Sequence, residues 1–123
     1  MTPKKILIID DEADLAKIAE HKLEAAGYAA IRAGSGDEGI KAAVREKPGL
    51  IFLDVMMPKK DGFETLRELK SDTVTLGIPV VMLTIKDETD VMLKAKELGA
   101  SDYFIKSNDW QELVKYAKKY LGG

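Results

Sequence analysis

The sequence predicts an α/β fold, a five-stranded parallel sheet with helices on both faces, and three observations carry that prediction. Short apolar runs without alternation, Ile6-Leu7-Ile8-Ile9, Leu50-Ile51-Phe52-Leu53 and Val80-Val81-Met82-Leu83, read as strands covered on both faces. Between them, apolar residues recur at helical spacing. Capping and turn residues mark the boundaries, and the connections are short. Strands and helices that alternate in this way build a parallel sheet.

Each element has its own local reason. Residues 6–9 form the first strand. Leu15, Ile18, Ala19, Leu23 and Ala26 recur on one helical face, and Gly27 stands where that helix must stop. Residues 28–33 form a weaker strand, expected near an edge because Arg32 interrupts it. Ser35 with Glu38 is a capping box that opens a helix bearing Ile40, Ala43 and Val44, closed by Pro48-Gly49. Residues 50–53 are the third strand. Asp61 with Glu64 opens the next helix, with Phe63, Leu66 and Leu69 inward. Pro79 leads into the fourth strand, 80–83. Asp87 with Asp90 starts a helix that turns Val91, Ala95 and Leu98 inward and ends at Gly99. Residues 103–105 are the fifth strand. Asn108 with Gln111 is expected to cap a last helix whose face is Trp110, Leu113, Val114, Ala117 and Leu121.

Composition narrows the function classes. The 123 residues make one domain over 1–123, 46% hydrophobic and 33% charged, enough for a core beneath a polar surface. A net charge of −2 gives no bulk attraction to nucleic acid or anionic membrane, so neither is an expected partner. Cysteine is absent, which excludes disulfides and thiolate metal sites. No apolar run approaches the ~20 residues of a membrane span. The N-terminal segment leaves no room for a signal peptide, so a cytoplasmic location is expected.

In parallel α/β sheets, ligands bind beyond the carboxyl ends of the strands, where the strand order reverses. Asp10 and Asp11 follow the first strand there, Asp54 the third, Thr84 the fourth and Lys106 the fifth. Singly, each has an ordinary role: helix cap, turn residue, loop hydroxyl, solvated amine. Jointly they suit phosphoryl transfer to a carboxylate. Oxygen ligands favour a hard cation such as Mg²⁺. Asp11 and Asp54 are the candidate direct ligands, with Asp10 direct or through water. Asp54 is the candidate nucleophile. Thr84 can donate to one phosphoryl oxygen and Lys106 can pair with another. The chemistry depends mainly on positioning and electrostatics.

The motifs Ile8-Ile9-Asp10-Asp11-Glu12, Leu53-Asp54-Val55-Met56-Met57-Pro58 with Asp61-Gly62, Leu83-Thr84 and Tyr103-Phe104-Ile105-Lys106 are each modest. In this order and on these elements, they resemble the receiver domain of two-component response regulators over essentially the whole chain. The resemblance implies a (βα)5 flavodoxin-like, doubly wound sheet of strand order 2-1-3-4-5. It implies that Asp54 accepts a phosphoryl group from the phosphohistidine of a sensor histidine kinase or phosphotransfer protein. The chain would then be a phosphoacceptor switch that assists its own phosphorylation and dephosphorylation, and not an enzyme. Mg²⁺, for which Mn²⁺ could substitute, would be held by Asp10, Asp11, Asp54 and the Met56 main-chain carbonyl. Thr84 and Tyr103 would form the switch that alters a face for a downstream effector. The protein would be a monomer or a phosphorylation-dependent dimer.

The chain departs from the family's pattern in three respects. Ser107 follows Lys106 where proline in a cis peptide is usual. A cis bond without proline costs ~2.5–4 kcal/mol, so a trans bond is expected. Ile85 follows Thr84 where a small residue is usual, and neither Met56 nor Lys86 is a water-positioning acid or amide. A long-lived phosphorylated form is the consequence. Two other readings compete. Gly34-Ser35-Gly36-Asp37-Glu38-Gly39 satisfies the dinucleotide fingerprint literally, but in the second βα turn. A receiver-shaped module that binds partners without phosphate would normally lose part of the acid and lysine set, which is whole here.

Overall fold

The computed structural model describes residues 4–85, 88–106 and 108–122. Five strands, β1 (Lys5–Ile9), β2 (Ala29–Ala33), β3 (Leu50–Asp54), β4 (Val80–Thr84) and β5 (Asp102–Ile105), form one parallel sheet in the order β2-β1-β3-β4-β5. The helices are α1 (Ala13–Ala25), α2 (Gly36–Glu46), α3 (Gly62–Ser71), α4 (Thr89–Glu97) and α5 (Leu113–Leu121), the last preceded by a 3₁₀ turn at Trp110–Glu112. The order reverses between β1 and β3, whose register pairs Ile9 with Leu53. This register brings Asp10 and Asp54, the next residue of each chain segment, to the same edge. β2 is an edge strand, as Arg32 foretold.

Alternation along each strand divides the core in two. Leu7, Ile9, Ile51, Leu53, Val80 and Met82 face α2, α3 and α4, where Leu66, Leu69 and Ala95 meet them. Ile6, Ile8, Leu50, Phe52, Val81 and Leu83 face α1 and α5, where Ala19, Leu23, Leu113 and Ala117 pack. Burying each such Leu or Ile contributes roughly 2 kcal/mol, so both layers anchor the central strands. Two fixed faces leave the strand ends no freedom to slip, and the residues just beyond them inherit that rigidity.

The helix boundaries follow the capping signals with instructive exceptions. Ser35 Oγ accepts from the Glu38 N–H at 3.1 Å, and Asp61 Oδ1 accepts from the Glu64 N–H at 2.9 Å. The returning arm of the first box falls on Gly34, whose N–H donates to Glu38 Oε2 at 3.1 Å. Gly27 and Gly99 take φ of +97° and +104°, the left-handed exit that glycine allows. The last cap is Asp109, not Asn108: its Oδ1 accepts from the Gln111 N–H at 3.0 Å and starts the 3₁₀ turn. Asp87 lies outside the described residues, and α4 begins beyond Glu88, which makes no side-chain cap. On α1 the buried stripe is Ala16, Ala19 and Leu23, so Ile18 and Ala26 are exposed and Leu15 is half-buried. Small residues at 16 and 19 let the helix approach the sheet closely and rotate Ile18 out of the contact. Val44 is exposed on α2 for a similar reason, since Ala42 and Ala43 take the inner face. Trp110 is half-buried against Phe104, with ring centroids 5.5 Å apart.

Candidate functional site

The site is built from backbone outward. Asp10, one residue past β1, is held by its own N–H, which donates to the Ala33 carbonyl of β2 at 3.0 Å. Its Oδ1 accepts from the Glu12 N–H at 2.9 Å, which fixes the carboxylate over the strand end. Asp54, the last residue of β3, is followed by Val55, whose N–H donates to Leu83 at 2.9 Å. Asp54 Oδ1 accepts from the Met56 N–H at 3.3 Å. The start of α3 presses on this turn: a Cβ at Gly62 would lie 2.2 Å from the Asp54 carbonyl oxygen and 2.8 Å from Val55 Cα. Lys106, just after β5, is tied to β4 by its N–H, which donates to the Thr84 carbonyl at 2.7 Å. Thr84 is buried at the end of β4 and pairs with Ile105 across the sheet.

Side chains then converge. The Lys106 ammonium lies 2.9 Å from Asp10 Oδ2, 3.1 Å from Glu12 Oε1 and 3.2 Å from Asp54 Oδ1. Asp10 is 2% exposed and Asp54 3%. The contact with Glu12 has hydrogen-bond geometry. Asp10 Oδ2, although nearest, makes an ion pair without that directionality, and Asp54 Oδ2 has no hydrogen-bond partner among the described residues. Carboxylate oxygens of Asp10, Glu12 and Asp54 lie within 4.8 Å of one another.

Three carboxylates around one ammonium leave an excess of negative charge in a covered place. Burial pushes the Asp54 carboxyl up to about 7, and the Asp10 charge adds to the rise. The Lys106 ammonium and the Met56 N–H offset part of it. For Lys106 burial alone would lower the pKa, but Asp10, Asp54 and Glu12 outweigh it and hold the ammonium above the usual lysine range. A buried, unpartnered carboxylate oxygen inside an all-oxygen acidic set suits a hard divalent cation.

The sequence-predicted residues are not all gathered. Asp10, Asp54 and Lys106 are in direct contact, with Thr84 at the adjoining strand end. Asp11 is exposed and stands outside the three-carboxylate set, beside Asp10 on a groove that also runs past Glu20 and Arg32. Glu12 takes the inner place, a role that sequence reading did not give it. The run of three acids was the available signal, but which of them turns inward depends on the turn between β1 and α1. Tyr103 is 39% exposed and lines a groove of about 260 Å³ between α4 and β5 with Met92, Leu93 and Lys96. Met56 and Ile85 are 70% and 60% exposed. Lys86 and Ser107, and with it the peptide bond after Lys106, lie outside the described residues.

The glycine-rich stretch at 34–39 has a packing role. A Cβ at Gly36 would lie 2.3 Å from Thr65 Oγ1, and one at Gly39 2.4 Å from Ile9 Cδ1, so both glycines let α2 approach its neighbours. The Gly34 N–H, which a dinucleotide phosphate would need, is taken by Glu38.

Residues 6–118 match the family described as response regulator receiver domain. The chain belongs to that family. Among relatives of this receiver domain, the alkaline phosphatase synthesis transcriptional regulatory protein PhoP of Bacillus subtilis is 46% identical over 96% of this chain and 48% of its own length. The phosphate regulon transcriptional regulatory protein PhoB of Pseudomonas aeruginosa is 41% identical over 98% of this chain and 53% of its own. The chain therefore spans about half the length of these two regulators. Protein PilH of the same bacterium is 34% identical over 97% of this chain and 98% of its own. Among solved structures, Vibrio cholerae chemotaxis protein CheY4 superposes with a TM-score of 0.92 at 27% identity, covering 98% of this receiver domain and all of that chain. A two-component response regulator from Clostridium difficile superposes with a TM-score of 0.88 at 30% identity, over 96% and 95% of the two chains. Among the described residues of this receiver domain, no helix is long and apolar enough to cross a membrane.

Proposed function

We propose that this receiver domain, spanning residues 1–123, accepts a phosphoryl group on Asp54 from a phosphohistidine of a sensor kinase or phosphotransfer protein and relays the signal to a downstream effector. The observation that carries the reading is Asp54 Oδ2, buried and without a hydrogen-bond partner among the described residues, beside a fixed ammonium. An Asp54 oxygen attacks phosphorus, the new O–P bond forms, and the N–P bond breaks with its electron pair going to the imidazole. Lys106 stands where it can pair with an oxygen of the incoming group, and Thr84 closes the same strand edge as a hydroxyl donor.

A divalent ion, Mg²⁺ or Mn²⁺, would neutralise charge on the acids and on the phosphoryl group when bound. Asp10 and Asp54 would hold it, with Asp11 and the Met56 main-chain carbonyl as further ligands. The donor chemistry fits, because the set is all oxygen and carries more negative charge than Lys106 balances. Phosphorylation would then bias a two-state element made of Thr84 and Tyr103 and alter a partner-binding face. Tyr103, half in solvent at the α4–β5 groove, has room to move inward.

Intact mass after incubation with acetyl phosphate and Mg²⁺ tests the chemistry. Wild type should gain one phosphate and Asp54→Asn none. A phosphate that persists on the Asn variant would place the acceptor elsewhere.

A further inference from the structure

The Lys106 ammonium has three N–H donors, and three carboxylate oxygens stand within 3.2 Å of it. Among the described residues only the Glu12 contact has hydrogen-bond geometry, so a phosphoryl oxygen that takes a directed bond from the ammonium competes first with Glu12. Asp10 is fixed: its side chain is fully covered and its Oδ1 is held by the Glu12 N–H. Asp54 is the atom-bearing acceptor and stays by definition. Glu12 is different. Its side chain is 54% exposed and reaches Lys106 from the first residue before α1, where its N-cap position makes no side-chain cap of its own. It also takes the ammonium in a directed hydrogen bond.

We infer that Glu12 is a placeholder anion, a positioning residue that occupies Lys106 in the resting protein and is displaced by the phosphoryl group. The inference rests on the phosphoacceptor reading of the same site and adds a residue and a direction to it. Glu12 keeps the lysine aimed at Asp54 while no phosphoryl group is present. It also sets the affinity for incoming anions, because its charge competes for the same ammonium. Swinging into solvent costs Glu12 little, since half of its side chain is already wet. Asp10 and Asp54 have no such exit.

The test compares wild type, Glu12→Gln and Glu12→Asp in saturating Mg²⁺, following phosphate on Asp54 by intact mass as acetyl phosphate is varied. Removing one like charge at a half-exposed position should lower the half-saturating acetyl phosphate concentration roughly fivefold in Glu12→Gln. The maximal rate is read alongside, and a change in half-saturation larger than the change in maximal rate marks competition for the ammonium rather than lost chemistry. Glu12→Asp keeps the charge and should stay near wild type. A metal-free readout accompanies this: by nitrogen-15 NMR, the Lys106 ammonium protons should exchange with water faster in Glu12→Gln before any phosphodonor is added. Normal phosphorylation of wild type with an unchanged or higher half-saturation in Glu12→Gln overturns this inference alone. Failure of wild type to take phosphate on Asp54 overturns the phosphoacceptor reading and this inference with it.

Discussion

Replacing Asp54 by Asn should stabilise the metal-free protein, and the size of the effect follows from the site. The Asp54 carboxyl is pushed up to about 7 from its ordinary value of 3.8, first by burial and then by the Asp10 charge. A folded-state pKa above the unfolded one means that the native protein binds the proton more tightly. Ionisation of Asp54 therefore costs the fold nothing below pH 3.8. The cost grows as pH rises toward 7 and is complete above it. At 1.36 kcal/mol for each tenfold change in proton affinity, the upper bound is about 4 kcal/mol. Solvent at the mouth of the site screens the charge even though the carboxylate itself is nearly covered, which reduces the expectation to about 2 kcal/mol. Asparagine keeps the shape and removes the charge, while Lys106 keeps Asp10 and Glu12. Melting of a domain this size shifts by about 4 °C per kcal/mol, so Asp54→Asn should melt about 8 °C higher at pH 8 in chelator. The gap should close as pH falls toward 4. Mg²⁺ at a hundred times its Kd should raise wild type by about 2.7 kcal/mol and the variant far less, reversing the order. Thermal denaturation at pH 8 and pH 4.5, with and without Mg²⁺, reads all of this. A variant no more stable than wild type at pH 8 in chelator, or a gap independent of pH, would refute the charge argument.

Two further outcomes follow from the geometry. Gly62→Ala places a methyl 2.2 Å from the Asp54 carbonyl oxygen and 2.8 Å from Val55 Cα, backbone atoms that cannot turn aside. It should cost about 3 kcal/mol, read as a melting temperature lower by about 12 °C; a shift under about 3 °C would show that the α3 start can lift away freely. Neither Met56 nor Lys86 is an acid or amide that orients water near Asp54, and the bulk of Ile85 after Thr84 hinders the approach of water. Phosphorylated Asp54 should therefore persist, and Ile85→Ala should shorten its lifetime in a phosphate-release assay. Loss of the phosphate from wild type within seconds would contradict this.

Most of the fold was legible because its signals are local. Unbroken apolar runs at β1, β3 and β4 can only be strands covered twice, and all five residues of β3 and of β4 are buried. Ser35 and Asp61 announced their helices because a side-chain oxygen has few other ways to satisfy the first N–H groups. The stripe on α1 was read with Ile18 and Ala26, which are exposed, and without Ala16, which is buried, since periodicity does not say how closely Ala16 and Ala19 let the helix approach. Asp109 instead of Asn108 at the last cap is a choice between neighbours of similar chemistry, decided by where β5 ends.

The same division holds at the site. The sequence by itself placed acids after β1 and β3, a hydroxyl at the end of β4 and an amine after β5, because strand ends follow from hydrophobic pattern. Parallel pairing then carries them to one edge. The lateral order of the strands came from the family resemblance, since no local pattern encodes which strand lies beside which. Only the tertiary structure decided that Glu12 turns toward Lys106 while Asp11 faces solvent, and that one oxygen of Asp54 has no hydrogen-bond partner among the described residues. Three consecutive acids have the same chemistry, and their separation into inner and outer depends on turn dihedrals that the packing of α1 against the sheet imposes.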